Sequence, residues 1–350
     1  MQKHLSKERA VNLGSFYTPK NIVQKAYELL EKRVNLKDFL LFDNACGYGD
    51  FFIGNYQYLG TDIDEIALQK VHSKIRTIAT NSLLNVSRHK FGISENENLI
   101  IIGNPPYNDK TSIINNGIKQ QLFDIDKTLA HRDLGISFLR SYALLKPDFI
   151  CVLHPLSYLI KESNFKALKF FKEQYTLLDG LIISSEIFTP HSKTFFPIII
   201  ALYTKDNRGM DYDFIKNYQF STDDGQKLRL SDFDFISNYV KKYPNPKDKR
   251  KEIAYFHTLR DINALKRNQT FMTQCGANSI RVFQDNIQYY YYIHHFKKFA
   301  DKLPYYFGNL DIFINHKEFL KIADAFMDSK TNACVQEYFE KLFKEYIRKI

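Results

Sequence analysis

Short apolar runs alternate with segments of helical spacing through residues 18–205, and this alternation constrains the fold more than any other feature of the chain. Apolar runs of strand length lie at residues 39–43, 56–61, 99–103, 149–155, 177–183 and 197–203. Segments with helical spacing lie between them at residues 18–30, 64–80 and 134–146. The alternation predicts a mostly parallel α/β sheet with helices on both faces. In such sheets, ligands bind at the carboxyl ends of the strands.

The turn Asn104-Pro105-Pro106-Tyr107 follows the apolar run 99–103 and has the strongest chemical character in the sequence. Neither proline has an N–H group, so their carbonyls are left without local pairing and their φ angles are nearly fixed. The side-chain oxygen of Asn104 and a proline carbonyl can both accept hydrogen bonds from one planar amino group. Tyr107 offers a flat face to the ring that carries that group. The turn indicates transfer to an exocyclic or amide nitrogen, and the alternative is an ordinary strand-ending turn.

Two other strand ends carry an acidic residue beside small residues. Asp43 precedes a short loop that contains Gly47 and Gly49, and glycines allow a ligand to approach the backbone closely. A carboxylate there suits an amino group better than a pyrophosphate, which it would repel. Asp62 ends the next strand and is placed for ribose hydroxyls, whereas Asp64 is better explained as a helix cap. A ligand with an amino acid end and a ribose but no phosphate is S-adenosylmethionine.

Taken in order, these motifs resemble those of the DNA adenine-N6 methyltransferases of bacterial restriction-modification systems. The resemblance is to the class in which the cofactor motif comes first, the catalytic motif next and a target-recognition domain last. It covers about residues 10–205 and rests on residues 14–19, 43–49, 60–64 and 104–107, with weaker support from 152–157 and 186–188. The order and spacing of four motifs together are specific, although each motif alone is not.

The resemblance implies a Rossmann-like S-adenosylmethionine-dependent methyltransferase domain at residues 1–205. It implies a mixed or mainly helical DNA target-recognition domain at residues 206–350. By position, Thr18 would bind the methionine carboxylate, Asp62 the ribose, and Ile63 the adenine of the cofactor. The full set of cofactor-binding residues that it implies is Tyr17, Thr18, Asp43, Ala45, Cys46, Gly47, Gly49, Asp62, Ile63 and Asn104. The usual acidic-aromatic pair that holds the cofactor adenine is not evident within residues 81–91.

The same resemblance implies that Asn104 and the Pro105 carbonyl bind the target amino group, with Pro106 completing the catalytic turn. Tyr107 would stack on a flipped-out adenine. Phe188 resembles the aromatic residue that packs on the other face of the base. Phe195 competes for that role, and either phenylalanine is equally well explained as core.

A formal net charge of +10 and a pI of about 9.1 make an anionic partner plausible, and the implied partner is double-stranded DNA. The most basic stretch runs from residue 241 to 251, where two prolines favour a loop. The phosphate contacts expected there are Lys241, Lys242, Lys247, Lys249, Arg250 and Lys251. A solvated surface loop is the alternative.

Other classes of protein are disfavoured. The four cysteines are far apart and form no C-x-x-C pair, so we expect neither a metal site nor disulfides, and reduced thiols suit a cytoplasmic protein. No apolar run approaches the length of a membrane span. No clustered Asp/Glu-x-Lys core is evident, so we expect any restriction endonuclease to be encoded separately. Enzymes that methylate a release-factor glutamine or an rRNA guanine share the Asn-Pro-Pro-Tyr turn and remain the alternative, as does a non-catalytic specificity protein.

Overall fold

A computed structural model describes residues 17–107, 124–188, 194–243, 247–259 and 261–348. Residues 14–16 of the first motif lie outside these ranges. The chain divides into two compact units. The first comprises residues 1–190 and 198–215, and the second comprises residues 191–197 and 216–350.

The first unit is built on a mixed, mainly parallel sheet. Its strands are β1 (Leu40–Asp43), β2 (Gln57–Asp62), β3 (Arg76–Ala79), β4 (Leu99–Gly103), β5 (Phe149–Pro155), β6 (Tyr175–Ser184) and β7 (Pro197–Lys205). They lie in the order β3-β2-β1-β4-β5-β7-β6. The pairs from β3 to β5 are parallel, and β7 runs antiparallel to β5. The predicted Rossmann-like α/β architecture is therefore confirmed.

Helices cover this sheet and bury their apolar positions. They are α1 (Lys20–Glu31), α2 (Glu65–Leu68), α3 (Leu134–Leu145), α4 (Ser157–Ile160), α5 (Glu162–Ala167), α6 (Phe170–Gln174) and α7 (Tyr212–Asn217). Helix α1 buries the predicted stripe that includes Ile22, Val23 and Leu30. The helical segment was predicted to begin at residue 18, but Pro19 is the N-cap of α1 and Thr18 lies outside the helix.

The prediction of a helix over residues 64–80 is wrong. A single turn, α2, follows Asp64, whose carboxylate caps it by accepting from the N–H groups of Ile66 and Ala67 at 3.0 and 3.2 Å. The chain then turns and forms β3, which pairs in parallel with β2. Pairing with a distant strand decides the structure here, whereas the helical spacing of the apolar residues is a local signal.

The second unit mixes helices with short strands, as expected. Its strands are β8 (Phe220–Thr222), β9 (Lys227–Leu228), β10 (Ala254–His257), β11 (Phe271–Met272) and β12 (Ser279–Val282). Its helices are α8 (Ile262–Arg267), α9 (Ile287–Phe299), α10 (His316–Leu320) and α11 (Ala333–Arg348). Helix α9 covers the aromatic-rich stretch of residues 288–298 and buries Tyr290, Tyr292 and Phe296. Between α10 and α11 the chain forms the 3-10 turn Ala323–Phe326.

Candidate functional site

The carboxyl ends of three neighbouring strands carry most of the predicted site residues. Asp43 ends β1, Asp62 ends β2, and Asn104 directly follows β4. Because β1 lies between β2 and β4 and all three are parallel, these ends share one edge of the sheet. The loop predicted to bind the cofactor (residues 44–49, the cofactor loop) and the turn predicted to be catalytic (residues 104–107, the catalytic turn) are thus neighbours in space.

Asp43 connects the loop after β1 to the end of β4. Its carboxylate is buried, and its Oδ1 accepts from the Ala45 N–H at 3.1 Å. It also lies against Gly103, where a Cβ atom would come within 2.7 Å of Oδ1. Burial raises the pKa of Asp43 well above its ordinary value, and the nearby charge of Asp62 adds to the rise while the Ala45 N–H opposes it. The carboxylate therefore gains from any cationic group that approaches it.

Asp62 holds the same loop from the side of β2. Its Oδ2 accepts from the Gly47 N–H at 2.8 Å, and its Oδ1 accepts from the Asp64 N–H at 2.9 Å. Gly47 has a φ of +52°, in the left-handed region that favours glycine. Burial raises the pKa of Asp62. Since each carboxylate oxygen has two lone pairs, both oxygens retain acceptor capacity for a ligand hydroxyl.

The other predicted cofactor residues lie on this loop or at its rim. Cys46 is buried, and its N–H donates to the Thr61 carbonyl at 3.0 Å. Gly49 adopts a φ of +79° and closes the turn by donating to the Cys46 carbonyl at 2.7 Å. Tyr17 and Ile63 are 45% and 51% exposed. Exposed apolar surface at the end of β2 is suited to packing against a ligand ring.

Thr18 and Asn104 are in direct contact although 86 residues separate them in sequence. The Asn104 Nδ2 donates to the Thr18 Oγ1 at 3.2 Å. The Thr18 N–H donates to the Asp50 Oδ2 at 2.9 Å, which fixes the segment before α1. Burial raises the pKa of Asp50. Because the Asn104 Nδ2 is bonded to Thr18, the Asn104 Oδ1 is the amide atom left to accept another hydrogen bond.

The Asn104 Oδ1 is buried and has no hydrogen-bond partner among the described residues. A buried acceptor without a partner costs about 1–3 kcal/mol, so such an atom calls for an explanation. Pro105 is buried, Pro106 is half-buried, and Tyr107 is 9% exposed. Burial raises the pKa of the Tyr107 hydroxyl, and the Asn104 side chain partly offsets that rise. The turn therefore contains a buried acceptor, the Asn104 Oδ1, that an N–H donor of a ligand would satisfy.

Two residues of the site were not predicted from the sequence. Asp50 is one, because its contact with Thr18 depends on tertiary structure. Asn44 is the other: it is 2% exposed, and its Nδ2 has no partner in the described part of the chain. A sequence signal that could have identified Asn44 is its position between Asp43 and Ala45, two predicted cofactor-binding residues. This donor lies in the loop that is expected to hold the amino acid end of the cofactor.

The two candidates for the second stacking aromatic lie in different units. Phe188 belongs to the first unit, is half-buried, and donates its N–H to the Ser185 carbonyl at 3.0 Å. Phe195 belongs to the second unit, is also half-buried, and accepts at its carbonyl from the Asn263 Nδ2 at 2.8 Å. The role of each stays a prediction.

The basic segment of the second unit contains residues of two kinds. Arg250 is engaged: its guanidinium pairs with Asp248 at 2.9 Å and with Asp285 at 2.8 Å, and it stacks on Phe283 at 4.0 Å. Lys242 pairs with Asp311 at 3.0 Å. The other four members expose their side chains: Lys241, Lys247, Lys249 and Lys251. Phosphate binding by the segment stays a prediction.

Within the described ranges, no group of three or more His, Cys, Asp or Glu side chains is arranged to hold a metal ion. None of the helices described there combines the length and apolar character needed to cross a bilayer.

Comparison with known proteins gives one family match and several similar folds. The family model described as N-6 DNA Methylase matches residues 1–274. A comparison with curated proteins found no match.

Three solved structures illustrate the similarity of fold. A Listeria monocytogenes protein described as a class I S-adenosylmethionine-dependent methyltransferase is 17% identical (63% of this chain, 68% of that chain, TM-score 0.42). The type IIL restriction-modification enzyme MmeI, solved with DNA, is 12% identical (75% and 47%, TM-score 0.41). The type I restriction-modification methyltransferase subunit from Streptococcus thermophilus is 16% identical (61% and 50%, TM-score 0.38). The chain matches about half the length of each of the last two.

Proposed function

The chain belongs to the N-6 DNA Methylase family, and from this premise we propose that it is a site-specific DNA methyltransferase. It transfers the methyl group of S-adenosylmethionine to N6 of a flipped-out adenine in double-stranded DNA, as part of a restriction-modification system. The observation that carries the proposal is the buried, unpartnered Oδ1 of Asn104 at the edge that also holds Asp43 and Asp62.

The residues of the first unit fit S-adenosylmethionine. The buried Asp43 carboxylate suits its amino group, and the unpartnered Asn44 Nδ2 provides a donor in the same loop. Asp62 retains acceptor capacity for the ribose hydroxyls, and Ile63 is exposed beside it for the adenine. The Thr18 hydroxyl accepts from Asn104 and keeps its own hydrogen to donate to the methionine carboxylate. When bound, the cofactor supplies an electrophilic methyl group.

Asn104 and the Pro105 carbonyl would act on the nucleophile. The lone pair of an adenine amino group is delocalised into the ring, so the nitrogen is a poor nucleophile. Two acceptors fixed around its two hydrogens favour the tetrahedral form in which the lone pair is localised. The contact with Thr18 holds the Asn104 amide in the orientation that this requires. The reaction then needs alignment more than it needs a conventional general base.

A base inside a duplex cannot reach this turn. The adenine must be flipped out, which costs a few kcal/mol, and stacking on an aromatic ring such as Tyr107 offsets part of that cost. Phe188 or Phe195 would pack on the opposite face. The second unit would provide target recognition, and exposed lysines of the segment 241–251 would contact phosphates.

The test is transfer of a tritiated methyl group to unmethylated genomic DNA, followed by digestion to nucleosides. We expect the label in N6-methyl-2′-deoxyadenosine from the DNA. Asn104→Ala is the matched variant, since it removes an acceptor for the amino group and should abolish turnover while cofactor affinity is nearly unchanged. Label only in protein or RNA would overturn the proposal in favour of the glutamine or guanine alternative. Loss of cofactor affinity in parallel with rate would refute the role of Asn104.

A further inference from the structure

The first turn of helix α3 lies against the catalytic turn. Gly135 is the second residue of α3, and a Cβ atom there would come within 2.9 Å of the Tyr107 Cβ. It would also come within 2.4 Å of the Tyr158 hydroxyl oxygen and 2.9 Å of its Cε2. Real Cβ atoms do not approach other atoms so closely, so the helix packs on both tyrosines only because this residue is glycine.

Tyr158 is itself held from two sides. Its hydroxyl donates to Oδ1 of Asp133, the residue that caps α3 by accepting from the Gly135 N–H at 3.1 Å. Its ring stacks on His154 with centroids 5.3 Å apart and an interplanar angle of 11°. Tyr158 is 1% exposed, so the ring has a single packed position.

His154 extends this arrangement into the sheet. Its ring stacks on Tyr203 of β7 at 6.0 Å, and its Nε2 lies 2.7 Å from the Tyr203 hydroxyl. Burial lowers the pKa of His154 to about 4, so the ring is neutral at neutral pH. Its Nδ1 lies 2.9 Å from the Pro155 carbonyl and must donate to it, which leaves Nε2 to accept from the Tyr203 hydroxyl. Both ring nitrogens are thus satisfied within a rigid strand pair.

We propose that Tyr158 is a positioning residue for Tyr107, acting through the first turn of α3. We name Tyr203, His154, Tyr158, Asp133 and Gly135 the aromatic column. Through it, the strand pair β5–β7 fixes the N-terminus of α3, and α3 in turn fixes the backbone of the catalytic turn at Tyr107. The column touches neither the Asp43 nor the Asp62 carboxylate by any contact described above. A substitution in the column should therefore alter the catalytic turn at Tyr107 and leave cofactor affinity unchanged. The inference rests on the proposed function only in taking Tyr107 as the residue that stacks on the flipped-out base.

The test uses a reporter that is independent of methyl transfer. The chain contains no tryptophan, so Tyr107→Trp introduces a single fluorophore at the position in question. Acrylamide quenching of that fluorophore is compared with and without Tyr158→Phe and, separately, with and without Gly135→Ala. Gly92→Ala is the control, because a Cβ there would crowd the Arg76 guanidinium of the edge strand β3 rather than the strand pair β5–β7. In parallel, kcat, cofactor Kd and Tm are measured for all three variants in the otherwise native chain.

We expect Gly135→Ala to change the quenching constant and to lower kcat by about tenfold or more, because misplacement by about 1 Å can cost about 100-fold. Cofactor Kd should be unchanged, and Gly92→Ala should lower Tm alone. Tyr158→Phe keeps the ring but loses the bond to Asp133, so it should change quenching and kcat in the same directions by less.

Unchanged quenching in Tyr158→Phe would overturn the inference, whatever happens to kcat or to Gly135→Ala, and so would a parallel loss of cofactor affinity. If the native protein methylates no DNA, the proposed function fails separately. The quenching comparison still decides whether the column positions residue 107.

Discussion

The Asn104 Nδ2 donates to the Thr18 Oγ1 at 3.2 Å, so the expected cofactor site and the expected target site share one hydrogen bond. An amide can rotate to present either its oxygen or its nitrogen, and only the oxygen can accept from a target amino group. In the structure the threonine hydroxyl accepts from Nδ2, and this contact leaves Oδ1 available. Asp50 fixes the threonine by accepting from its N–H at 2.9 Å.

Thr18→Val should lower kcat, because valine has nearly the same shape but cannot accept from Asn104. One hydrogen bond contributes about 0.5–1.5 kcal/mol, so we expect a loss of roughly three- to tenfold. Thr18→Ser retains the hydroxyl and is the matched control. Steady-state methylation of DNA at saturating cofactor measures the effect. Equal losses in the valine and serine variants would show that the hydroxyl does not orient Asn104.

Gly103→Ala should be strongly destabilising and should weaken cofactor binding. The residue has a φ of +154°, and a Cβ would lie 2.7 Å from the Asp43 Oδ1, which is buried and has no room to retreat. Gly225→Ala is the control for backbone strain alone, since its φ is +84° but no atom lies within 4 Å of the added Cβ. Strain of this kind costs about 1–3 kcal/mol.

Thermal unfolding and cofactor titration separate the two effects of the Gly103 substitution. The Gly225 variant should lose stability without losing cofactor affinity, whereas the Gly103 variant should lose both. If the Gly103 variant bound the cofactor as tightly as the native protein, the contact with Asp43 would not bear on the cofactor loop.

Asp43→Asn should stabilise the fold while it weakens cofactor binding. Burial raises the pKa of Asp43 in the folded state, so the folded state holds the proton more tightly than the unfolded state does. The contribution of Asp43 to stability is therefore fully present below the ordinary carboxyl pKa and is lost as pH rises through the raised value. Asparagine carries no charge at any pH, so its Tm advantage should grow as pH rises and vanish in acid.

Calorimetry from acid to neutral pH tests whether the Tm advantage of Asp43→Asn grows as pH rises. The affinity of this variant for the cofactor should fall by about tenfold or more, as for the loss of a charge-assisted hydrogen bond. Asp38→Asn, at an exposed position, is the control and should change neither quantity. A Tm advantage that is greatest in acid would contradict the assignment of a raised pKa to Asp43.

The parts of the fold that could be predicted from sequence are those whose burial is continuous along the chain. The strand β5 spans residues 149–155, as predicted, and β4 spans 99–103, because both are buried along nearly their whole length. The strand β3 was missed because its burial pattern is only partial, and its apolar residues also satisfy helical spacing. Only its pairing with β2 distinguishes the two possibilities.

The candidate site divides in the same way. Residues at strand ends could be predicted, because parallel strands bring their carboxyl ends together irrespective of the loops between them. Contacts such as that of Thr18 with Asp50, or that of Gly135 with Tyr107, depend on how two loops or a helix and a turn pack, and neither has a periodic signature in the sequence. Arg250 was expected to contact phosphates by its charge alone, whereas its partners Asp248 and Asp285 became evident only in the structure.

The lysines and the arginine of the basic segment should respond differently to substitution. Lys249, Lys251 and Arg250 are all exposed, but Arg250 also pairs with two aspartates and stacks on Phe283. Replacing both lysines by alanine should weaken DNA binding at all sequences, and the slope of log K against log salt should become shallower by about one unit for each phosphate that a lysine no longer neutralises. Cofactor binding should not change.

Arg250→Ala is the informative companion to the lysine double variant, because it removes the same charge as one lysine but also releases Asp248 and Asp285. We expect it to loosen the segment, which limited proteolysis would detect, and to change the salt slope less than the lysine double variant does. Fluorescence anisotropy with a duplex over a range of salt concentrations measures both slopes. If the lysine double variant kept the native affinity and salt slope, the segment would be a solvated loop, and the phosphate contacts would have to come from other basic residues.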